Sequence, residues 1–116
     1  ALHPAWPEDL REELSAALQR GAPARAAWGE GAAVAVAYAV HRTPAWWDVS
    51  VDCLPAFQRR GLATSAWAAL AGALRAEGAR PIWGCLDANE ASRRMATKLG
   101  FVEDWRVVVV QGSGGA

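Results

Sequence analysis

Lysine is almost missing from this chain: eleven arginines stand against a single lysine, Lys98, and the twelve basic residues are balanced by twelve acidic ones. Neutral net charge with dispersed arginines leaves no electrostatic footprint for a nucleic acid, so no DNA or RNA partner is expected. The arginine excess, together with abundant alanine, reads as genomic base composition rather than a functional device. Cysteine is as scarce. Cys53 and Cys85 read as reduced thiols, and with no secretory leader pattern the expected location is cytoplasmic. No spacing of histidine or cysteine resembles a metal site, so no metal is expected. No apolar run approaches the roughly 20 residues that a membrane helix needs, which argues against a membrane partner. A start at Ala1 rather than at methionine reads as processing or as excision from a longer chain.

What is present is apolar: 53% of the 116 residues are hydrophobic, enough for one core and one domain spanning 1–116. Pro7, Glu8 and Asp9 open a helix in which Leu10, Leu14, Ala17 and Leu18 recur at helical spacing until Gly21, giving an N-terminal helix within 1–22. Residues Arg25–Trp28 and Ala33–His41, split by Gly29-Glu30-Gly31, predict a hairpin. In its second strand Val34, Val36, Tyr38 and Val40 alternate with alanines, so both faces suit burial. From Trp46 to Leu54 the alternation is stricter. Trp47, Val49, Val51 and Cys53 fall on one face, while Trp46, Asp48, Ser50 and Asp52 fall on the other. The adjacent Trp46 and Trp47 therefore point to opposite faces, and burial on both sides is the expected account.

A helix from Leu62 to Glu77 presents Ala63, Trp67, Leu70, Ala71 and Leu74 as its buried stripe. Pro81–Leu86 reads as a short strand, Asp87-Ala88-Asn89 as turn and cap, and Glu90–Leu99 as a short helix. A last strand follows from Phe101 to Val110, and the tail 111–116 is glycine-rich. Residues 24–110 thus form an α/β core in which a βαβ unit over Trp46–Leu86 places the start of the long helix at the carboxyl ends of its strands.

That helix start carries the chain's most informative stretch, Gln58-Arg59-Arg60-Gly61-Leu62-Ala63-Thr64. A glycine before a helix lets backbone approach a ligand closely, and the unpaired amides of the first turn face it with the positive end of the helix dipole behind them. Arg59 and Arg60 add forked donors for phosphate oxygens. A loop glycine flanked by solvated arginines is the plain alternative. Downstream, Asn89-Glu90-Ala91-Ser92 opens the second helix and Lys98-Leu99-Gly100-Phe101 closes it.

On these residues the chain resembles the GNAT superfamily of acetyl-CoA-dependent N-acyltransferases. Gln58, Gly61 and Ala63 meet its Gln/Arg-x-x-Gly-x-Gly/Ala pattern, and Asn89, Ser92, Lys98, Gly100 and Phe101 meet its later one, the likeness covering roughly Ala32 to Val110. The resemblance implies a central mixed β-sheet flanked by helices, lacking the family's usual first strand and leaving its last strand open. It also implies acetyl-CoA as cosubstrate and an amine of a small molecule or peptide as acceptor. By the same resemblance, amides around Arg59, Arg60, Gly61, Leu62, Ala63 and Thr64 hold the CoA pyrophosphate. Val51 and Cys53 pair with the pantetheine arm as an added strand would, and Asn89 and Ser92 lie beside that arm.

One departure bears on catalysis. Where many relatives carry a tyrosine that protonates the CoA sulfur, seven positions after the asparagine, this chain has Ala96. For the base that deprotonates the amine, Asp52 is the candidate, with Asp48 and Glu90 behind it; the alternative has Asp48 and Asp52 facing solvent or pairing with arginines. Cys53 reads as a small buried hydrophobe rather than a nucleophile, and His41 as a surface residue. Two functions stay open: an N-acetyltransferase, or a catalytically impaired CoA-binding or dimerisation module. The missing strands leave edges that a homodimer, with Val107–Val110 as its pairing strand, or an additional N-terminal domain would cover.

Overall fold

A computed structural model describes residues 2–85 and 89–101. Leu86 of the expected short strand, Asp87 and Ala88 of the expected turn, the rest of the strand expected from Phe101 to Val110 and the tail 111–116 lie outside the described residues.

Helix α1 spans Glu8–Gln19, with Pro7 at its N-cap and Glu8 and Asp9 complementing the amino-terminal dipole. It buries Leu14 and Ala17, but Leu18, expected on the same stripe, is exposed. Strands β1 (Ala24–Gly29) and β2 (Ala32–Arg42) form the antiparallel hairpin. Its turn is the pair Glu30-Gly31, both at positive φ (53° and 78°), the backbone twist that matches two right-handed strands. Strand β3 (Trp46–Cys53) runs antiparallel to β2, helix α2 (Leu62–Ala76) crosses over, and β4 (Arg80–Ile82) lies parallel to β3. The sheet order is β1-β2-β3-β4, and helix α3 (Glu90–Lys98) follows.

The alternation in β2 divides the core in two. Ala35, Ala37 and Ala39 meet Trp47, Val49 and Val51 of β3 under Ala66, Leu70 and Leu74 of α2. Small side chains on the central strand leave room for the helix leucines, so close packing is reached without overfilling. On the opposite face Val34, Val36 and Tyr38 pack with Trp6, Leu14, Ala17, Leu54 and Phe57. Ala66, absent from the expected stripe, is the fully buried member of the first turns of α2, whereas Ala63, Trp67 and Ala71 are half-buried.

Two expectations change. Trp47 is buried at 2% exposure but its neighbour Trp46 is 44% exposed, with the Arg80 guanidinium 5.9 Å over its ring; burial on both sides does not occur because an arginine covers the outer ring instead. The strand expected at Pro81–Leu86 pairs over three residues only, Trp46 with Arg80, Trp47 with Pro81 and Asp48 with Ile82. Trp83 accounts for the departure. Its Nε1 donates to Ser92 Oγ at 3.0 Å and its ring packs on Phe101, which in turn packs on Trp67 of α2. These contacts draw the chain towards α3 and away from β3.

Candidate active site

Divergence of β4 leaves an edge. Leu54 N–H donates to Val34 O at 3.0 Å, which sets the antiparallel alternation: even-numbered residues at the end of β3 bond to β2, and odd-numbered ones turn their amides to the β4 side. Val51 and Cys53 therefore direct their backbone amides into the opening, beyond the last β3–β4 pair at Asp48–Ile82. The Cys53 carbonyl receives Gln58 Nε2 at 3.4 Å, which ties the following loop to the strand end.

That loop has the left-handed backbone found in nests. Pro55–Phe57 makes one 3-10 turn, Arg59 adopts φ 65° and Gly61 φ 73°. Left-handed backbone at a non-glycine residue costs about 1–3 kcal/mol and persists where surroundings impose it. Left-handed residues of this kind are what lets successive N–H groups form an anion-binding concavity. Gly61 is the N-cap of α2, no side chain caps the helix, and the first helical bond is Ser65 N–H to Gly61 O at 2.9 Å. The amides of Leu62, Ala63 and Thr64 are consequently the uncapped donors of a 15-residue helix. A Cβ placed on Gly61 would point into open space.

Nest, strand end and α3 enclose a cavity of about 160 Å³ lined by Cys53, Gln58, Arg59, Gly61, Leu62, Ala63 and Thr64 on one side. The opposite wall is Arg94, Met95, Lys98 and Leu99, with Phe57 at its base. Its charged lining is wholly cationic: Arg59, Arg94 and Lys98. Burial pushes the Cys53 thiol up, and the Lys98 ammonium draws it partly back. A thiol held protonated in this way suits a packing role rather than attack.

The expected site residues divide. Cys53, Gln58, Arg59, Gly61, Leu62, Ala63 and Thr64 come together around the cavity, with Val51 buried behind them. Arg60 turns aside, its guanidinium 5.3 Å over the Phe57 ring. Asn89 is the N-cap of α3, where its Oδ1 accepts from Ser92 N–H at 3.1 Å, and the Ser92 hydroxyl accepts from Trp83; neither lines the cavity. The α3 wall was not expected as part of the site, although Lys98 belongs to the helix-closing motif. The spacing i, i+4 in both Arg94/Lys98 and Met95/Leu99 marks one face of α3, and that pattern is the signal the sequence offers for it. Ala96 is buried on a different side of the same helix and brings no hydroxyl to the cavity.

Asp52 lies at the same strand end with its side chain on the α1 face. Ser50 Oγ donates to its Oδ2 at 3.1 Å. Burial raises the Asp52 carboxyl, the Ser50 bond lowers it, and the Glu13 charge raises it further. Asp48, further back on the same face, is raised by burial and lowered by His41. Among the described residues no group of His, Cys, Asp or Glu could hold a metal ion, and no helix is long and apolar enough to cross a membrane.

The sequence profile of the GNAT acetyltransferases matches residues 25–108, most of the chain. The protein belongs to the GNAT acetyltransferase family. As such it is an acetyl-CoA-dependent N-acetyltransferase, and its mixed sheet with flanking helices is the GNAT fold. No curated protein sequence matches it. Among solved structures it is similar to aminoglycoside N-acetyltransferase AAC(6')-Iy in complex with a bisubstrate analogue, at 24% identity and TM-score 0.71 over 96% of this chain and 84% of that one. The apo aminoglycoside 6'-N-acetyltransferase AAC(6')-IG of Acinetobacter haemolyticus gives 20% identity and TM-score 0.73 over 97% and 85%. The acetyltransferase yncA of Salmonella typhimurium with acetyl-CoA gives 25% identity and TM-score 0.62 over 84% and 60%. The GNAT cosubstrate fits what the residues offer: cationic walls, a left-handed nest and strand-edge amides without a strand partner among the described residues.

Proposed function

We propose that the GNAT reaction runs through the opening between β3 and β4, with the nest around Arg59–Thr64 on the pyrophosphate and the Val51 and Cys53 amides along the pantetheine arm. The observation that carries this reading is the three-residue β3–β4 pairing, which frees an odd-numbered strand edge beside an uncapped helix start. Amides at that edge lie where an oxyanion would form on the thioester carbonyl. Asp52, across the sheet from the cationic cavity, takes the proton of the attacking ammonium. Its raised carboxyl brings its basicity nearer neutral pH, where a general base works best. The α1 face carries Glu13, Asp48 and Asp52, which favours an acceptor with several amines; neamine is a suitable probe, since a neighbour of this fold binds an acetylneamine analogue.

A homodimer and a cytoplasmic location belong to the same reading. The exposed Trp28 on edge strand β1 supports the first, and the free thiols Cys53 and Cys85 the second. Ala96 in place of a hydroxyl favours a second reading, a module that binds CoA without turnover. Calorimetry with acetyl-CoA, CoA and a nucleotide lacking pantetheine decides the site. Micromolar binding that requires the pantetheine arm is expected. Equal binding of the nucleotide would remove the strand-edge assignment, and binding without acetyl transfer to neamine or other amines would leave the second reading.

A further inference from the structure

Tyr38 is the chain's only tyrosine, and it is fully buried at the centre of β2. A phenylalanine would fill that space without a hydroxyl to satisfy. The hydroxyl donates to Glu13 Oε2 on α1, and Tyr38 stands directly opposite Ser50, its cross-strand partner on β3. Ser50 Oγ in turn reaches Asp52 Oδ2 at 3.1 Å. Four side chains from three elements thus stand in one line, Ser50 bonded to Asp52 and Tyr38 to Glu13, and a proton arriving on Asp52 supplies the third hydrogen that lets Ser50 turn and bond to Tyr38.

We propose that this line is a proton relay which carries the proton taken from the acceptor ammonium at Asp52 out to Glu13. The proposal rests on the reading of Asp52 as the general base. The ammonium N–H bond breaks as the proton bonds to the Asp52 carboxylate. Protonated Asp52 passes that proton to Ser50 Oγ, the turned Ser50 hydroxyl passes its own to the Tyr38 oxygen, and Tyr38 passes its own to Glu13 Oε2. Each hydroxyl gains one proton and loses one, Asp52 ends as a carboxylate, and Glu13 releases the proton to water. An acceptor seated over Asp52 shields it from solvent, so an exit through the protein keeps the base available for the next turnover. Burial and the Glu13 bond hold Tyr38 protonated, which lets it conduct as a neutral hydroxyl. Asp48, paired across the strands with His41, flanks the line.

The test compares wild type with Tyr38→Phe, Glu13→Gln and Asp52→Asn in acetyl transfer to neamine and, with no amine supplied, in acetyl-CoA hydrolysis with water as acceptor. Rates are followed against the deuterium fraction of the solvent. Tyr38→Phe and Glu13→Gln are each expected to lose about tenfold in kcat with unchanged KM for acetyl-CoA, as expected for losing one proton-transfer contribution. A curved dependence on deuterium fraction in the wild type should become linear in both. Glu13 is exposed, so its variant reports even where Tyr38→Phe fails to fold, and Glu13→Asp should restore the curvature. A linear wild-type dependence, or a loss of kcat that leaves the curvature intact, overturns the relay. Should Asp52→Asn alone lose activity, the base stands without the relay; should Asp52→Asn stay active, the base reading itself falls.

Discussion

The two faces of strand β3 make a direct comparison. Odd-numbered Trp47, Val49, Val51 and Cys53 pack under α2 beside a cavity whose charges are all positive, whereas even-numbered Asp48, Ser50 and Asp52 sit under α1 in an acidic, hydrogen-bonded setting. One strand serves both because its side chains alternate while its edge amides lie between the two environments. A transferase that joins a polyanionic donor to a cationic acceptor needs this separation. On the proposed reading, opposite charges on opposite faces let each substrate find its own side and leave the reacting carbonyl at the sheet edge between them.

The largest expected effect comes from spoiling the cationic face at its narrowest point. Gly61→Glu places a carboxylate where the uncapped amides converge and should weaken CoA binding by more than about 100-fold in calorimetry. Because φ there is 73°, any side chain also costs about 1–2 kcal/mol of stability, so the Tm should drop while the circular dichroism spectrum is retained. Unchanged affinity would mean that the nest is not the phosphate site. A smaller effect separates the two neighbouring arginines. Arg59→Ala should lose about tenfold in CoA affinity, in line with about 1.4 kcal/mol for a charged contact, while Arg60→Ala, whose side chain lies on Phe57, should change it little. Equal losses would show that Arg60 leaves its ring to reach the ligand.

The smallest effect lies on the acidic face and is one of stability. The Asp52 carboxyl is raised above its ordinary 3.8, so it is held more tightly as the acid when folded and its ionisation weakens the fold. Stability from this group is complete below pH 3.8 and is lost as the pH climbs through the raised value. Asp52→Asn, which keeps an acceptor for Ser50, should therefore raise Tm at neutral pH, with the gain vanishing in acid. A gain that persists below pH 3.8 would point to packing rather than charge.

Much of the fold is legible from residue order. The strict alternation over Trp46–Cys53 identifies the core face of β3, and Gly29-Glu30-Gly31 locates the hairpin turn to within a residue. The cradle is legible because Gly61 stands directly before a helical stripe, so the bare amides of a helix start fall beside a residue with no side chain to cover them. Harder to read is the cover over Asp48 and Asp52. Nothing local to β3 says that the amino-terminal helix docks on neighbouring β2 and brings Glu13 to that face, and polar side chains near Tyr38 and Glu13 look the same in sequence as polar side chains facing water. The length of β4 escapes for a similar reason. Apolar Pro81–Leu86 fits a strand by composition, yet the indole N–H of Trp83 finds Ser92 in the first turn of α3, and that tertiary bond ends the pairing at Ile82.

The three-residue seam between β3 and β4 also sets where the molecule opens. Strands β1, β2 and β3 share long antiparallel ladders, but among the described residues β4 is joined to them by a three-residue ladder, beside the tilted ring contacts of Trp67, Phe101 and Trp83. Under native conditions amide hydrogens of β4 and α3 should exchange with solvent through local excursions that leave the hairpin closed. A ligand bridging the seam would bind only the closed form and so would lengthen the lifetime of β4 and α3 rather than that of β1, β2 and β3. The seam is thus also the joint by which β4 and α3 are held to the rest of the described fold.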